Sequence, residues 1–319
     1  MLPRAERIWP CEIGTWHDAG SMGIRIPRRK QPLATRAFPQ ATDRYVLGEG
    51  LQVSPVMLGQ VVEPEAVCAA FDAGINFFFV SGDLHWPGYE PVRRGLEMLL
   101  DRGPHIREQI VVGGVSYVTQ PEFCHGPFYE LLESVRGLER LDLTIIGGAY
   151  AGDFLIRSQV YEDHRRADAF GTRALGASFH DRDASHRAMN GNLLDIAFVR
   201  YNPRHPGAAR DVFPRVKTFD GLMYNFKSVY GPTKPKDFEA IGVGEANWRP
   251  HPTDYYRFAL TSVELDGLLV SVRTANQIPE IAEALSRGPL TDDEHQYMLQ
   301  LGELDRGDAV VELNQPAVD

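Results

Sequence analysis

The feature that most constrains the fold of this chain is a repeated alternation between short apolar runs and amphipathic helical stretches. The first three apolar runs are Val53–Gln60, Ile75–Val80 and Ile110–Val115. Between the first two, Pro64 marks the start of a helix and Gly74 marks its end. This alternation is the pattern of parallel β/α units.

Five further apolar runs continue the pattern. They lie at residues 141–148, 173–181, 195–202, 221–227 and 266–273. Several are apolar on successive residues, which indicates strands that are buried on both faces. Eight such strands, each followed by a helix, predict a closed (β/α)8 TIM barrel. An open doubly wound sheet is the alternative, but the stretch after the first strand, MLGQVVEPEA, lacks the phosphate-binding pattern GxGxxG.

Three of the intervening helices have sequence signals of their own. One helix is predicted from about Tyr89 to Asp101, and a long polar helix is predicted near Ser158–Phe170. Thr253 is the expected N-cap of a helix between the last two strands.

Composition limits the classes of partner. The 319 residues include 33 Lys and Arg against 43 Asp and Glu, a formal net charge of −10. An acidic chain repels phosphate backbones, so a nucleic-acid partner is not expected. The run Arg28, Arg29 and Lys30 is the one local basic patch that the sequence suggests. The expected partner is a small-molecule ligand, and the oligomeric state is left open.

No membrane or metal signal is evident in the sequence. No apolar stretch approaches the length of a membrane span, and residues 1–43 lack the apolar region of a secretory signal. Cys11, Cys68 and Cys124 have no metal-site spacing, so reduced thiols and a cytoplasmic location are expected. The predicted N-terminal extension, barrel and C-terminal tail occupy residues 1–43, 44–305 and 306–319.

Several segments, taken in order, resemble the aldo-keto reductase family. DRYVLGEGLQVSPVMLG is similar to its opening hairpin and first strand, and AFDAGINFFFVSG and LLESVRGLERLDLTII are similar to later segments. The likeness covers about residues 44–301. It implies a (β/α)8 barrel and reduction of carbonyls with NADPH by an Asp, Tyr, Lys, His tetrad, in which the tyrosine is the general acid.

The tetrad itself is missing at the positions that the resemblance assigns. Phe79 stands in place of the aspartate, Val115 in place of the lysine and Gly147 in place of the histidine. Leu84 or Trp86 stands in place of the tyrosine. Because a phenol with a pKa near 10 needs a neighbouring cation to act as an acid near pH 7, conventional carbonyl reduction is not expected.

Other polar residues follow the predicted strands, at the barrel end where functional groups stand. The candidate catalytic residues are Asp83, His85, Tyr117 and His180. The histidines have the intrinsic pKa of an acid/base catalyst, although solvated loop histidines would look the same. Asp83, His85, His180 and Asp181 are also possible metal ligands, but they lack a compact metal-site spacing, so no metal is predicted.

Binding of NADP remains possible at a weakened site. By the resemblance, Ser178 keeps one half of the clamp on the nicotinamide carboxamide, and Tyr224 keeps the aromatic residue that stacks on the ring. Phe179 and Phe198 replace the Asn and Gln that would complete the clamp.

Two basic residues complete the candidate cofactor site. Arg273 matches the residue that would meet the adenosine 2′-phosphate, although a surface arginine is an equal alternative. Lys227 follows an apolar strand and is interpreted as a cofactor-phosphate or solvent-facing lysine, with a buried reactive amine as the alternative. The segment 228–249 could fold over a ligand or form a flexible loop.

Three functions stay open on the sequence. The favoured hypothesis is a small-molecule metabolic enzyme with altered, non-redox lyase, isomerase or cyclase chemistry at the barrel mouth. The alternative is a non-catalytic binding or scaffolding protein. A weaker alternative is an NADPH-dependent oxidoreductase whose acid and base groups have moved.

Overall fold

The computed structural model describes residues 24–32, 36–83, 87–307, 313 and 315–316. In chain order, the strands are β1 (Ile24–Arg25), β2 (Arg44–Leu47), β3 (Leu51–Val53), β4 (Val56–Val61), β5 (Phe77–Ser81), β6 (Val111–Ser116), β7 (Leu143–Ala149), β8 (Ala174–Phe179), β9 (Ile196–Arg200), β10 (Leu222–Phe226) and β11 (Gly267–Val272). The helices are α1 (Glu65–Asp72), α2 (Glu90–Leu100), α3 (Gly126–Ser134), α4 (Phe154–Arg166), α5 (Arg182–Asn190), α6 (Ala208–Asp211), α7 (Pro235–Ala240), α8 (Asp254–Thr261), α9 (Gln277–Ser286) and α10 (Asp292–Arg306).

Strands β4 to β11 close into one parallel barrel in chain order, and β11 pairs with β4. The predicted (β/α)8 barrel is therefore confirmed. Along β5, Phe77 and Phe79 face the barrel interior, whereas Phe78 and Val80 belong to the core between the barrel and its helices. Burial on both faces explains why the strand is apolar at every one of these positions.

The N-terminal end of the barrel is closed by the antiparallel hairpin of β2 and β3, as the resemblance implies. Tyr45, Leu47 and Leu51 from this hairpin are buried in the same cluster as the interior barrel residues. Strand β1 extends the hairpin sheet by pairing with β2. The barrel floor is thus packed with side chains.

The basic run before the hairpin is not a free basic patch. Arg28 is 3% exposed, and its guanidinium donates to the carbonyls of Leu260 and Leu265 at 2.8 and 2.9 Å. Arg29 forms an ion pair with the fully buried Asp266 at 3.2 Å. Through these contacts, Arg28 and Arg29 attach part of the predicted N-terminal extension to the barrel floor. We call this pair of residues the arginine clip.

Two helix predictions need correction. The polar helix predicted near Ser158–Phe170 is α4, Phe154–Arg166, which starts one turn earlier at an apolar segment that the polar composition obscured. Thr253 precedes α8 but makes no side-chain cap, because its hydroxyl is engaged with His251 at 2.9 Å. The stop at Gly74 is confirmed, since its φ of 88° lies in the left-handed region.

None of the helices in the described ranges combines the length and the apolar character that crossing a membrane requires.

Candidate functional site

A cavity of about 520 Å³ opens at the C-terminal end of the barrel. Its wall is built from the ends of several strands and from the loops that follow them. The polar side chains in the wall that bear on chemistry are Gln60, Tyr89, Tyr117, Ser178, His180 and Lys227. The structure therefore brings four of the predicted site residues, Tyr117, Ser178, His180 and Lys227, to one place.

His180 follows β8 and its ring packs edge-on against Phe226, with ring centroids 5.6 Å apart. Burial lowers the pKa of His180 below its usual value of 6.5, and the nearby charges of Lys227 and Arg200 lower it further. The imidazole is therefore neutral at pH 7 and able to accept a proton.

Tyr117 follows β6 and is half-buried in the cavity wall. Its backbone N–H donates to Oδ2 of Asp83 at 3.0 Å, and burial followed by the Asp83 charge raises the pKa of its phenol. The phenol therefore stays protonated near neutral pH and is a hydrogen-bond donor to a ligand.

Asp83 is 3% exposed and does not line the main cavity. It borders a separate cavity of about 360 Å³ together with Glu122 and His125. Its carboxylate holds the backbone of Tyr117, and its predicted catalytic role stays a prediction. His85, with Leu84 and Trp86, lies outside the described residues.

Tyr89 is a wall residue that sequence reasoning set aside. It lies in the short 3-10 turn Pro87–Tyr89, which precedes α2, and its ring centroid is 6.1 Å from that of Phe79. Burial, followed by the neighbouring Tyr117, raises the pKa of its phenol. The sequence placed Tyr89 only at the start of the following helix, because the turn that returns its ring to the cavity has no clear sequence signal.

The three inherited tetrad positions within the described residues face the barrel interior and carry no ionisable group. Phe79 and Val115 are buried in the interior cluster. Gly147 leaves space that the ring of Tyr117 occupies, since a β-carbon at residue 147 would stand 2.6 Å from Cδ1 of that ring. These positions, which only the resemblance assigns to the tetrad, form an apolar part of the barrel interior.

Lys227 has a left-handed backbone, with a φ of 55°. Its carbonyl accepts a hydrogen bond from the fully buried Asn202 at 2.7 Å. A non-glycine residue holds this conformation only where its surroundings enforce it. The backbone of Lys227 is therefore held in one conformation, which fixes where its side chain starts at the cavity rim.

Tyr224 does not lie where it could stack on a nicotinamide ring, which is the role that the resemblance implies. Its side chain is fully buried in the barrel, its ring packs edge-on against Phe77 at 5.8 Å, and its hydroxyl donates to the carbonyl of Ser54 at 2.7 Å. Neither face of the ring is open to a ligand. Two residues further along β10, Phe226 is the aromatic side chain that reaches the cavity.

The remaining residues of the predicted nicotinamide site also fit poorly. Ser178 keeps its place, with its hydroxyl accepting from the N–H of Gly148 at 2.9 Å. Phe179 points outward and packs on Phe154. No side chain at this position therefore replaces the Asn that, by the resemblance, would bind the nicotinamide carboxamide. Arg273 is exposed beyond β11 and does not line the cavity. We therefore derive no chemical step through a nicotinamide.

Within the described residues, no group of three His, Cys, Asp or Glu side chains is arranged to hold a metal ion. His180 and Asp181 are adjacent in sequence, but the Asp181 carboxylate caps α5 by accepting from the N–H groups of Asp183 and Ala184 at 2.9 and 3.1 Å. This use of Asp181 leaves it unsuited to the metal role considered above.

Solved structures identify the class of fold. The holo form of aldo-keto reductase AKR11C1 from Bacillus halodurans matches with a TM-score of 0.61 and 15% identity, over 81% of this chain and 95% of that one. A Pseudomonas aeruginosa protein, PA4992, described as an aldo-keto reductase, matches with a TM-score of 0.57 and 17% identity, over 78% of this chain and 97% of that one. No protein-family model and no curated protein matches the sequence. The chain thus has the (β/α)8 barrel fold of the aldo-keto reductases.

Proposed function

We propose that this protein is a small-molecule enzyme that performs non-redox acid–base chemistry at the C-terminal mouth of the barrel. The observation that carries the proposal is the placement of a neutral His180 beside Lys227 in one cavity. The positions that would support carbonyl reduction hold Phe79, Val115 and Gly147 instead. Perturbed titratable groups that converge in a concave site are the usual mark of acid–base catalysis.

The chemistry that this arrangement supports best is removal of a proton from a carbon next to a carbonyl group. The imidazole of His180 accepts the proton, and the electron pair of the broken C–H bond moves into the carbonyl to form an enolate. Tyr117 donates a hydrogen bond to the carbonyl oxygen, and the Lys227 ammonium stabilises the developing negative charge. Return of the proton, or loss of a neighbouring leaving group, gives an isomerase or lyase outcome.

The proposal is tested by hydrogen exchange, which detects cleavage of the C–H bond whatever the final product is. A panel of small carbonyl compounds, charged and uncharged, is incubated with the protein in D2O, and loss of the C–H signal is followed by proton NMR. We expect enzyme-dependent exchange in at least one compound, reduced by roughly 10²- to 10⁴-fold in His180→Gln. His105→Gln is the matched control, because His105 is exposed and precedes β6 at the opposite barrel end. Exchange that is equal in wild type and His180→Gln would overturn the proposal.

A non-catalytic binding protein is the second candidate, supported by the apolar wall that Phe79 and Phe198 form, with ring centroids 6.0 Å apart. This function requires a ligand that binds the cavity without exchange or turnover. The same NMR samples separate the two candidates, because binding alone broadens or shifts ligand signals while leaving every C–H proton in place.

A further inference from the structure

We propose that the cavity mouth contains a binding site for an oxyanion, a carboxylate or phosphate group of the substrate, between Arg200 and Lys227. The inference deepens the proposed function and rests on it, because it places the charged group of the substrate in the same cavity as His180. It assigns a chemical class to a substrate that the fold alone does not identify.

The strand register brings the two cations together. Arg200 ends β9 and is paired with Phe226, the last residue of β10, directly before Lys227. Ile196 and Phe198 face the barrel interior, so strand alternation places Arg200 on the inner side as well. Phe226 and Lys227 both line the cavity. Arg200 and Lys227 are therefore attached to adjacent strand ends at the C-terminal rim, where Lys227 lines the cavity and Arg200 lies on the neighbouring strand, outside the lining residues.

The electrostatic environment of His180 is consistent with the placement of these two charges. The charges of Lys227 and Arg200 both act on its imidazole and lower its pKa, after the larger effect of burial. Burial lowers the pKa of His205, in the loop after β9, and the charges of Arg200 and Lys227 are among those that lower it further. Two imidazoles and two cations thus share one region of positive potential in a chain whose net charge is −10.

This positive region has no internal counter-charge within the described residues. No Asp or Glu from the described part of the chain lines the cavity. Other arginines near this end are neutralised, since Arg204 pairs with Asp305 at 2.8 Å and Arg182 pairs with Asp211 at 2.8 Å. Across the described ranges, neither Arg200 nor Lys227 has such an ion pair, which is the arrangement expected of cations reserved for a ligand.

The rim is also rigid where the two cations are attached. The side-chain amide of Asn225 donates to the carbonyls of Val199 and Tyr201 at 3.1 and 2.7 Å and so ties β10 to β9. The hydroxyl of Ser228 donates to the side-chain oxygen of Asn225. Buried side chains that are fully occupied with backbone contacts hold the first contacts of a binding site in place.

The ligand class follows from the chemistry of the two groups. The planar guanidinium of Arg200 matches two oxygens of a carboxylate or phosphate, and the Lys227 ammonium adds a point charge. The cavity volume of about 520 Å³ suits a small metabolite with one such group. The Lys227 amine therefore binds charge in this proposal and forms no covalent bond with the substrate.

Isothermal titration calorimetry at constant ionic strength tests the site, with inorganic phosphate and malonate as separate probes. We expect saturable binding of at least one probe, weakened roughly ten- to hundredfold in Lys227→Met and in Arg200→Gln. Lys217→Met is the matched control, because Lys217 is exposed, lies before β10 and loses the same charge. The tighter probe identifies the group as phosphate or carboxylate.

The site would be overturned if neither probe bound the wild type saturably, or if Lys227→Met or Arg200→Gln bound the probe as tightly as the wild type does. His180→Gln separates this inference from the proposed function. We expect this variant to keep the oxyanion affinity within about threefold of wild type while losing hydrogen exchange, because imidazole is not the charge-binding group. Oxyanion binding without any exchange would leave the site standing and reject the catalytic proposal.

Discussion

The ring of Tyr117 lies against the backbone of Gly147, so close that a β-carbon on residue 147 would stand 2.6 Å from Cδ1 and 2.8 Å from Cε1. Strand β7 thus has no side chain at the position where the resemblance implies a histidine, and the ring of Tyr117, which follows β6, fills that space. Tyr117 and Gly147 are physically linked, because the tyrosine ring fits this part of the wall only where the neighbouring strand has glycine.

Substitution of Gly147 by alanine is expected to displace the Tyr117 ring and to destabilise the fold by about 1–3 kcal/mol. The added methyl group would also meet the Ser116 carbonyl at 2.9 Å, which is backbone and cannot move aside easily. Urea denaturation measures the loss. Gly152→Ala is the control, because nothing lies within 4 Å of a β-carbon there. Equal stability of the two variants would contradict the packing described above.

The pKa of His180 is expected below 6.5 in the folded protein, and Lys227→Met is expected to raise it by removing a neighbouring cation. Two-dimensional NMR of the histidine rings against pH measures both values. In wild type, the unfolded chain then binds more protons than the folded chain between the folded pKa and 6.5. Stability is therefore intact above that window and falls as the pH drops through it. A higher pKa in wild type than in Lys227→Met would contradict this prediction.

Replacement of Lys227 by glycine is expected to leave the fold equally stable or to stabilise it by up to about 1 kcal/mol, because its φ of 55° suits glycine. The same change should weaken oxyanion binding roughly ten- to hundredfold, as in Lys227→Met. Lys217→Gly, at a residue without a positive φ, is expected to be destabilising. Thermal unfolding of both variants provides the comparison, and a large loss in Lys227→Gly would show that no strain is stored there.

Nicotinamide binding is expected to be lost or very weak. Titration with NADPH, followed by cofactor fluorescence, should show no saturation up to ~1 mM. The reason is structural, since Tyr224 is closed to stacking and Phe179 faces away from the cavity. Saturable quenching followed by hydride transfer to a carbonyl compound would instead support the reductase alternative.

The arginine clip on the barrel floor is expected to be a large contributor to stability. Asp266→Asn should cost about 3–5 kcal/mol, because it leaves the cationic Arg29 without its buried partner. Asp220→Asn, which removes the surface partner of Lys30, should change the free energy of unfolding by less than about 0.5 kcal/mol. Denaturant titrations of the two variants, each with the same change of charge, test the contrast.

The barrel itself could be predicted from the sequence because its strands are buried on both faces. A run such as Phe77 to Val80, apolar at every residue, fits a strand that is buried on one face by the barrel interior and on the other by the helix layer. The depth of each side chain in the barrel could not be predicted in the same way. Tyr224 and Phe226 are two residues apart on β10, so both face the barrel interior. The sequence of β10 does not show which of the two reaches the cavity at the mouth of the barrel.

The sequence indicates a place in the cavity wall most directly for residues that follow a strand, as His180 and Lys227 do. The wall also contains Tyr230, in the segment after β10, and Tyr256 on α8. Their place depends on how a long connection returns across the mouth, which local sequence patterns do not encode. The segment 228–249 includes α7, and its first residues form part of the wall, so it contributes structure to the site.

The hairpin that fills one end of the barrel has a kinetic consequence. Tyr45, Leu47 and Leu51 pack beneath the interior side chains and close the N-terminal end of the barrel, so the cavity opens at the other end. For the proposed enzyme, a reaction product would then leave through the opening by which the next substrate arrives. We therefore expect inhibition by product to be competitive with substrate.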